Sequence, residues 1–278
     1  MRSFLAVFLL VRYVSSDVPL LNDFPKYQSG AYGVSPNQTY HSSNITSPQF
    51  NYNTWNPDLL AKDYYDSAHI LLTLNYAGAG AGPYIFRDDD LSLVYADTSF
   101  GTTMNARVQI VDGAKCLTFW HGDKRGGHGK GHCVFYSDRY ELKYNLTIKP
   151  PLTVDVDMHE CQVTASGTVL LTAYQDKPAN LSSLGFVGDD VLADSCFQEV
   201  DLVTNEAVFT WCASEWFSHD LSFQNFTKRD ERQYDDDGLN DGGHVSPAIG
   251  VDAYHINSLQ KVRGMWCSFR AASKRLTL

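Results

Sequence analysis

The sequence is short of positive charge: 22 Lys and Arg stand against 32 Asp and Glu, a formal net charge of -10 over 278 residues. An acidic chain without a basic stripe is a poor partner for nucleic acid or an anionic membrane. Apolar runs are short as well. Phe4–Val11 falls far below the roughly 20 residues that span a bilayer as a helix, and no second run is longer, so no transmembrane segment is expected. None of the six cysteines forms a Cys-X-X-Cys pair, which argues against a structural zinc site. There is no G-x-S-x-G nucleophile elbow and no G-x-x-x-x-G-K-[ST] phosphate loop. No segment keeps an amphipathic helical stripe over three turns, which leaves β structure as the expected class.

What the chain does have is aromatic surface. With 16 Tyr and 15 Phe, aromatics reach 13% and hydrophobic residues 44%, a composition that suits pleated, half-buried strands. The length allows one or two domains with a real core. The first residues have the layout of an export signal. Arg2 is the positive start, Phe4–Val11 the apolar run, and Val14 and Ser16 the residues before a cut after Ser16. Residues 1–16 are therefore expected to be a signal peptide and the protein to be secreted. Asn-X-Ser/Thr sequons begin at Asn37, Asn44, Asn145, Asn180 and Asn225, and both they and an even cysteine count fit export. Which cysteines pair is not readable from spacing. Residues 17–65, rich in Ser, Asn, Pro and Tyr, read as an extended leader, and 66–278 as the β domain.

From His69 onward short β-rich runs alternate with turn signals. His69–Asn75 reads as a strand. Hairpins are expected around Arg87–Asp90, Asp112–Gly113, Ala165–Gly167, Thr204–Glu206 and Arg263–Gly264, and strands at His132–Tyr136 and Tyr140–Ile148. Asn205 stands where Gly is commoner, and Asn tolerates positive φ. The hairpins recur about every 40 residues, the period of four-stranded propeller blades. A β-sandwich is the alternative architecture for the same pattern.

Three stretches carry possible chemistry. In Thr153–Glu160, strand alternation places Asp155, Asp157 and His159 on one face, and Asp157 can hold one ring nitrogen of His159. In Asp252–Ser258, His255 and Asn257 share a face, and a tight turn at Arg263–Gly264 brings Arg270 opposite or diagonal to His255. His, Asn and Arg together suit an oxyanion such as sulfate or phosphate. The third stretch, Trp120–His132, is Gly-rich and basic and reads as a connection near the site. Its histidines lack metal-ligand spacing. The acidic run Asp230–Gly243 reads as a solvated loop. No metal and no cofactor is implied.

Taken in order, several phrases resemble the fungal branch of the arylsulfotransferase family. They are Ala81–Phe86, Leu117–Gly122, the Gly126–Gly131 stretch, Asp157–Glu160 with Thr164–Thr168, Asp194–Asp201, and Tyr254–Ser258 with Ser268–Arg270. The resemblance implies an all-β, six-bladed β-propeller, of which this chain would hold about four to five blades, as in a C-terminally truncated product. It also implies sulfuryl transfer from an aryl sulfate to a phenol through a sulfated histidine, without a nucleotide donor. His159, His255 and Arg270 match the family's catalytic positions, with Asn257 and Asp157 beside them. Arg270 is followed here by Ala271 rather than the family's usual His. In the family the histidine that becomes sulfated lies in a later blade. The expected partners are therefore a small phenol or aryl sulfate. A non-catalytic secreted propeller that binds a ligand or cell-wall component is the second functional reading. A carboxylate glycosidase using Asp155, Asp157 or Glu160 is the third.

Overall fold

Asp112 and Gly113 both take positive φ, 51° and 77°. This two-residue turn suits the twist of the strands it joins, and Val111 pairs directly with Ala114 across it. The computed structural model describes residues 20–21, 24–40, 43–51, 69–75, 80–88, 91–125, 127–186, 189–222, 250–262 and 265–266. The expected signal at 1–16, the sequon at Asn225, the acidic run, Arg263–Gly264, Cys267 and Arg270 lie outside these residues.

The chain divides into two units, one of Met1–Ile70, Tyr76–Ala79 and Ile85–Tyr95, the other of Leu71–Asn75, Gly80–Tyr84 and Ala96–Leu278. In the first, the stretch read as a leader carries short elements: β1 (Leu20–Leu21), α1 (Phe24–Gln28), β2 (Asn37–Thr39), β3 (Thr46–Pro48) and β4 (Phe50–Asn51). β1 runs parallel to β4, and β2 antiparallel to β3. The strands β5 (His69–Leu74), β6 (Gly82–Arg87) and β7 (Leu93–Ala96) form a three-stranded sheet in chain order.

Two four-stranded antiparallel sheets dominate the second unit. One contains β8 (Thr103–Val111), β9 (Ala114–Arg125), β10 (His128–Tyr136) and β11 (Leu142–Leu146). The other contains β12 (Cys161–Val163), β13 (Thr168–Asn180), β14 (Asp189–Asp201) and β15 (Ala207–Cys212). Each is a meander with neighbours consecutive in sequence. Asn205, with φ 53°, closes the turn before β15, where its short polar side chain tolerates the left-handed region. A last hairpin, β16 (Lys261–Val262) with β17 (Met265–Trp266), is only two residues a side.

The Gly-rich stretch expected to be a connection is a hairpin instead. Gly131 pairs with Gly122, and His132 with His121. A Cβ at Gly131 would sit 2.0 Å from the carbonyl oxygen of His121, so glycine is required here by close packing rather than by a loop. Conversely, Thr153–Glu160 is not a strand. Only Val156 forms a bridge, to Gly131. His255–Gln260 is likewise irregular.

The sheet β12–β15 is covered on both faces. Val169, Leu171, Ala173, Cys196 and Val200 pack with Trp120, Phe135 and Leu146 of the β8–β11 sheet. Leu170, Phe197 and Trp211 point the other way, onto Val251, Tyr254, Ile256 and Leu259. Each such side chain, fully buried, contributes roughly 1.5–3 kcal/mol of transfer free energy. Two disulfides reinforce the unit. Cys133–Cys161 ties the two sheets together, and Cys196–Cys212 joins directly paired positions of β14 and β15. Cys116 is a buried thiol, its pKa pushed up mainly by burial. Among the described residues no helix is long and apolar enough to cross a membrane.

Candidate active site

The loop 153–160 is threaded between the two four-stranded sheets and pinned by backbone and side-chain bonds. Trp120 Nε1–H donates to the Val156 carbonyl at 2.8 Å. The Asp157 N–H donates to the Thr172 carbonyl at 2.8 Å, and Asn105 Nδ2–H to the His159 carbonyl at 3.2 Å. A turn held this tightly fixes where its side chains project.

Asp157 has no solvent exposure in its side chain. Its Oδ1 accepts the Gly129 N–H at 2.7 Å. Its Oδ2 accepts the His159 N–H at 3.0 Å and meets His159 Nδ1 at 2.5 Å, with the Thr172 hydroxyl at 3.3 Å. A carboxylate that accepts from this many donors is held in place and fixes the ring it touches. His159 is left with Nε2 as the ring nitrogen that makes no hydrogen bond among the described residues. The strand reading placed Asp155 beside them, but Asp155 is exposed. The loop's irregular backbone breaks the alternation.

A second carboxylate–imidazole pair lies alongside. His255 Nδ1 is 2.6 Å from Asp252 Oδ2, and the His255 ring centre lies 4.8 Å from that of His159 at 89°. His128, from the start of β10, approaches the same Asp252 oxygen through Nε2 at 3.3 Å. Its ring stands edge-on to Tyr174 at 4.2 Å and to His255 at 5.2 Å. Tyr174 itself is anchored, donating to the Ile256 carbonyl at 3.0 Å and accepting the Ile256 N–H at 2.9 Å. Three imidazoles, a phenol and two carboxylates thus meet in one place.

The electrostatics follow from this packing. Burial works against ionisation of Asp252, but the hydrogen bonds and charge of His128 and His255 overcome it and hold its pKa at about 2. The bond to Asp252 raises the pKa of His255 against burial, with help from the Asp157 charge and Asn257. Burial first, then Asp252 and Asp157, drives the Tyr174 hydroxyl well above its ordinary value, so this phenol is a fixed wall rather than a base.

Of the residues expected from sequence, Asp157, His159 and His255 are together. Asn257 is mostly exposed and bonds to the His255 side chain. Arg270 is outside the described residues. Sequence reasoning missed His128, Tyr174 and Asp252. Asp252 had a signal, since it stands three residues before His255. The others depend on strand register. Glu160 is structural: it pairs with Arg107 at 3.0 Å and accepts the Leu259 N–H at 3.4 Å. With Asp157 also committed to its donors and Asp155 in solvent, the three carboxylates do not form a glycosidase pair.

A second imidazole pair, His121 and His132, stacks at 5.5 Å on the β9–β10 hairpin. Burial, then the neighbouring ring, lowers the pKa of His121.

Residues 107–274 match the family described as arylsulfotransferase (ASST). No curated protein and no solved structure matches the chain.

Proposed function

The chain belongs to the arylsulfotransferase family, and from that premise we propose that it transfers a sulfuryl group from an aryl sulfate to a phenol in the pocket of His159 and His255. The observation that carries this reading is the pair of imidazoles 4.8 Å apart, each with Nδ1 held by its own aspartate.

The chemistry divides between the two rings. In place of the later-blade histidine that the family resemblance implies, this reading gives the nucleophile's role to His159: the lone pair on its Nε2 attacks sulfur, forming the N–S bond as the S–O bond to the aryl oxygen breaks. The leaving oxygen takes the proton of His255, whose pKa the bond to Asp252 raises. An acceptor phenol then gives its proton to the now neutral His255 and attacks sulfur, returning the electron pair to His159. The charged sulfuryl oxygens are stabilised by His255, and Arg270, which lies outside the described residues, is the family-position guanidinium for the same role. Asp157 keeps the His159 proton on Nδ1.

The architecture in this reading is a β-propeller. The two four-stranded meanders, stacked face to face through a shared core, have the form of adjacent blades. The chain is exported, which suits its two disulfides and the exposed sequon residues Asn37, Asn44, Asn145 and Asn180.

The test uses an aryl sulfate with a coloured phenol. Without acceptor, the peptide bearing His159 is expected to gain the mass of one SO3 group as phenol is released. His159→Gln is expected to lose both. Full turnover by that variant overturns the assignment. Saturable binding of the ester without phenol release instead makes the protein a non-catalytic binder.

A further inference from the structure

We propose that His128, Asp252 and His255 form a binding site for a divalent cation of the zinc class. Their donor atoms all lie within 4.8 Å of one another. Asp252 Oδ2 is the centre of the group, 2.6 Å from His255 Nδ1 and 3.3 Å from His128 Nε2. Around a tetrahedral zinc with bonds of roughly 2.0–2.2 Å, neighbouring donors sit about 3.3–3.6 Å apart.

A separate observation points to a cation. The other carboxylate oxygen, Asp252 Oδ1, is closed to solvent and makes no hydrogen bond among the described residues. A carboxylate oxygen can only accept, and leaving it buried without a donor is expensive. A metal ion held by both carboxylate oxygens of Asp252 satisfies it directly. The surroundings agree. His128 is buried, with 8% of its side chain exposed, and is wedged edge-on against Tyr174 and His255.

The donor set also selects among metals. Two imidazoles and one carboxylate favour zinc or a similar first-row ion over magnesium or calcium, which take oxygen ligands. Three protein ligands leave a coordination position open for water or an anionic oxygen, as in catalytic rather than structural sites. No local motif announces the site, because His128 is brought to the other two only by the β9–β10 register.

The inference does not depend on sulfuryl transfer, and the experiment separates the two: zinc on His255 Nδ1 displaces the proton that Asp252 holds there, so zinc-loaded protein is expected to lose sulfuryl transfer that the stripped protein shows. The full chain, stripped with chelator and dialysed, is titrated with zinc by calorimetry. One equivalent is expected to bind. Asp252→Asn and His128→Gln are each expected to weaken binding by more than the roughly 10–100-fold that loss of an outer-shell partner brings. His159→Gln is expected to bind zinc as the wild type does while losing sulfuryl transfer. Cobalt(II) added to the wild-type protein is expected to give visible bands of a nitrogen-ligated, low-symmetry ion. That measurement decides the matter if a ligand variant fails to fold. Absence of saturable binding, affinity unchanged in both ligand variants, or a cobalt spectrum of the aquo ion each overturns the proposal.

Discussion

Replacing Asp157 with Asn is the sharpest probe of how the site is held. The two side chains have the same shape, so packing is preserved and only the acceptors change. Asp157 receives the Gly129 N–H on one oxygen and, on the other, the His159 N–H, the His159 ring and the Thr172 hydroxyl. An amide has one acceptor and one donor end. If its oxygen faces His159, its NH2 faces the Gly129 N–H, donor against donor. If it is flipped, the His159 N–H loses its acceptor. Either way one buried donor is orphaned, at about 1–3 kcal/mol, and a charge-assisted bond worth roughly 1.5–3 kcal/mol is lost. We expect a loss of about 3–5 kcal/mol in urea unfolding monitored by tryptophan fluorescence. Activity should suffer more than folding does, because an amide allows the wrong tautomer of His159. In a comparable Asp–His pair that loss approaches ~10⁴-fold in turnover. Folded Asp157→Asn that unfolds within 1 kcal/mol of wild type, or keeps full turnover of an aryl sulfate, would refute this account of the dyad.

Three further outcomes are expected. Loop-closure entropy assigns about 3.6 kcal/mol to Cys133–Cys161, at a sequence separation of 28, and about 3.1 kcal/mol to Cys196–Cys212, at a separation of 16. The double Ser variant of the first should also lose cooperativity between sheets, because the second links strands already paired; a single sharp urea transition in both variants argues against that difference. Gly131→Ala drives a methyl into the His121 backbone and is expected to destabilise by about 3 kcal/mol. Gly113→Asn, in open space at a positive φ that Asn tolerates, should be nearly neutral, and equal melting of the two variants contradicts the packing argument. As for pH, the raised pKa of His255 means that its contribution is complete below 6.5 and fades as pH rises through the folded value. The lowered pKa of Asp252 means that its contribution is present above 3.8 and fades as pH falls toward about 2. The stability difference between wild type and Asp252→Asn should therefore be largest between pH 3.8 and 6.5, and a difference that grows above that window contradicts the pairing.

Turn chemistry was the most legible part of the sequence. Asp112–Gly113, Gly167 and Asn205 all sit at positive φ where their residue types predict a turn, because those dihedrals are set locally. Strand alternation was less reliable. It placed Asp157 and His159 together correctly but for the wrong reason, since they are joined by a two-residue turn of loop rather than by the pleat. It placed Asp155 with them wrongly. Gly122 and Gly131 read as loop residues, whereas they allow two strands to approach too closely for any Cβ. Composition alone does not distinguish a glycine needed for freedom from one needed for space.

What the sequence determined by itself was the β class, most of the hairpins and the phrases that carry the family likeness, because these rest on dihedral preferences and on short runs of residues. Tertiary structure alone decided that His128 and Tyr174 join His159 and His255, and that Asp252 serves two imidazoles. Those contacts depend on the register of β9 with β10 and on the packing of segment 251–259 against the β12–β15 sheet. Register and packing are properties of the whole set of side chains buried together, and no local spacing records them.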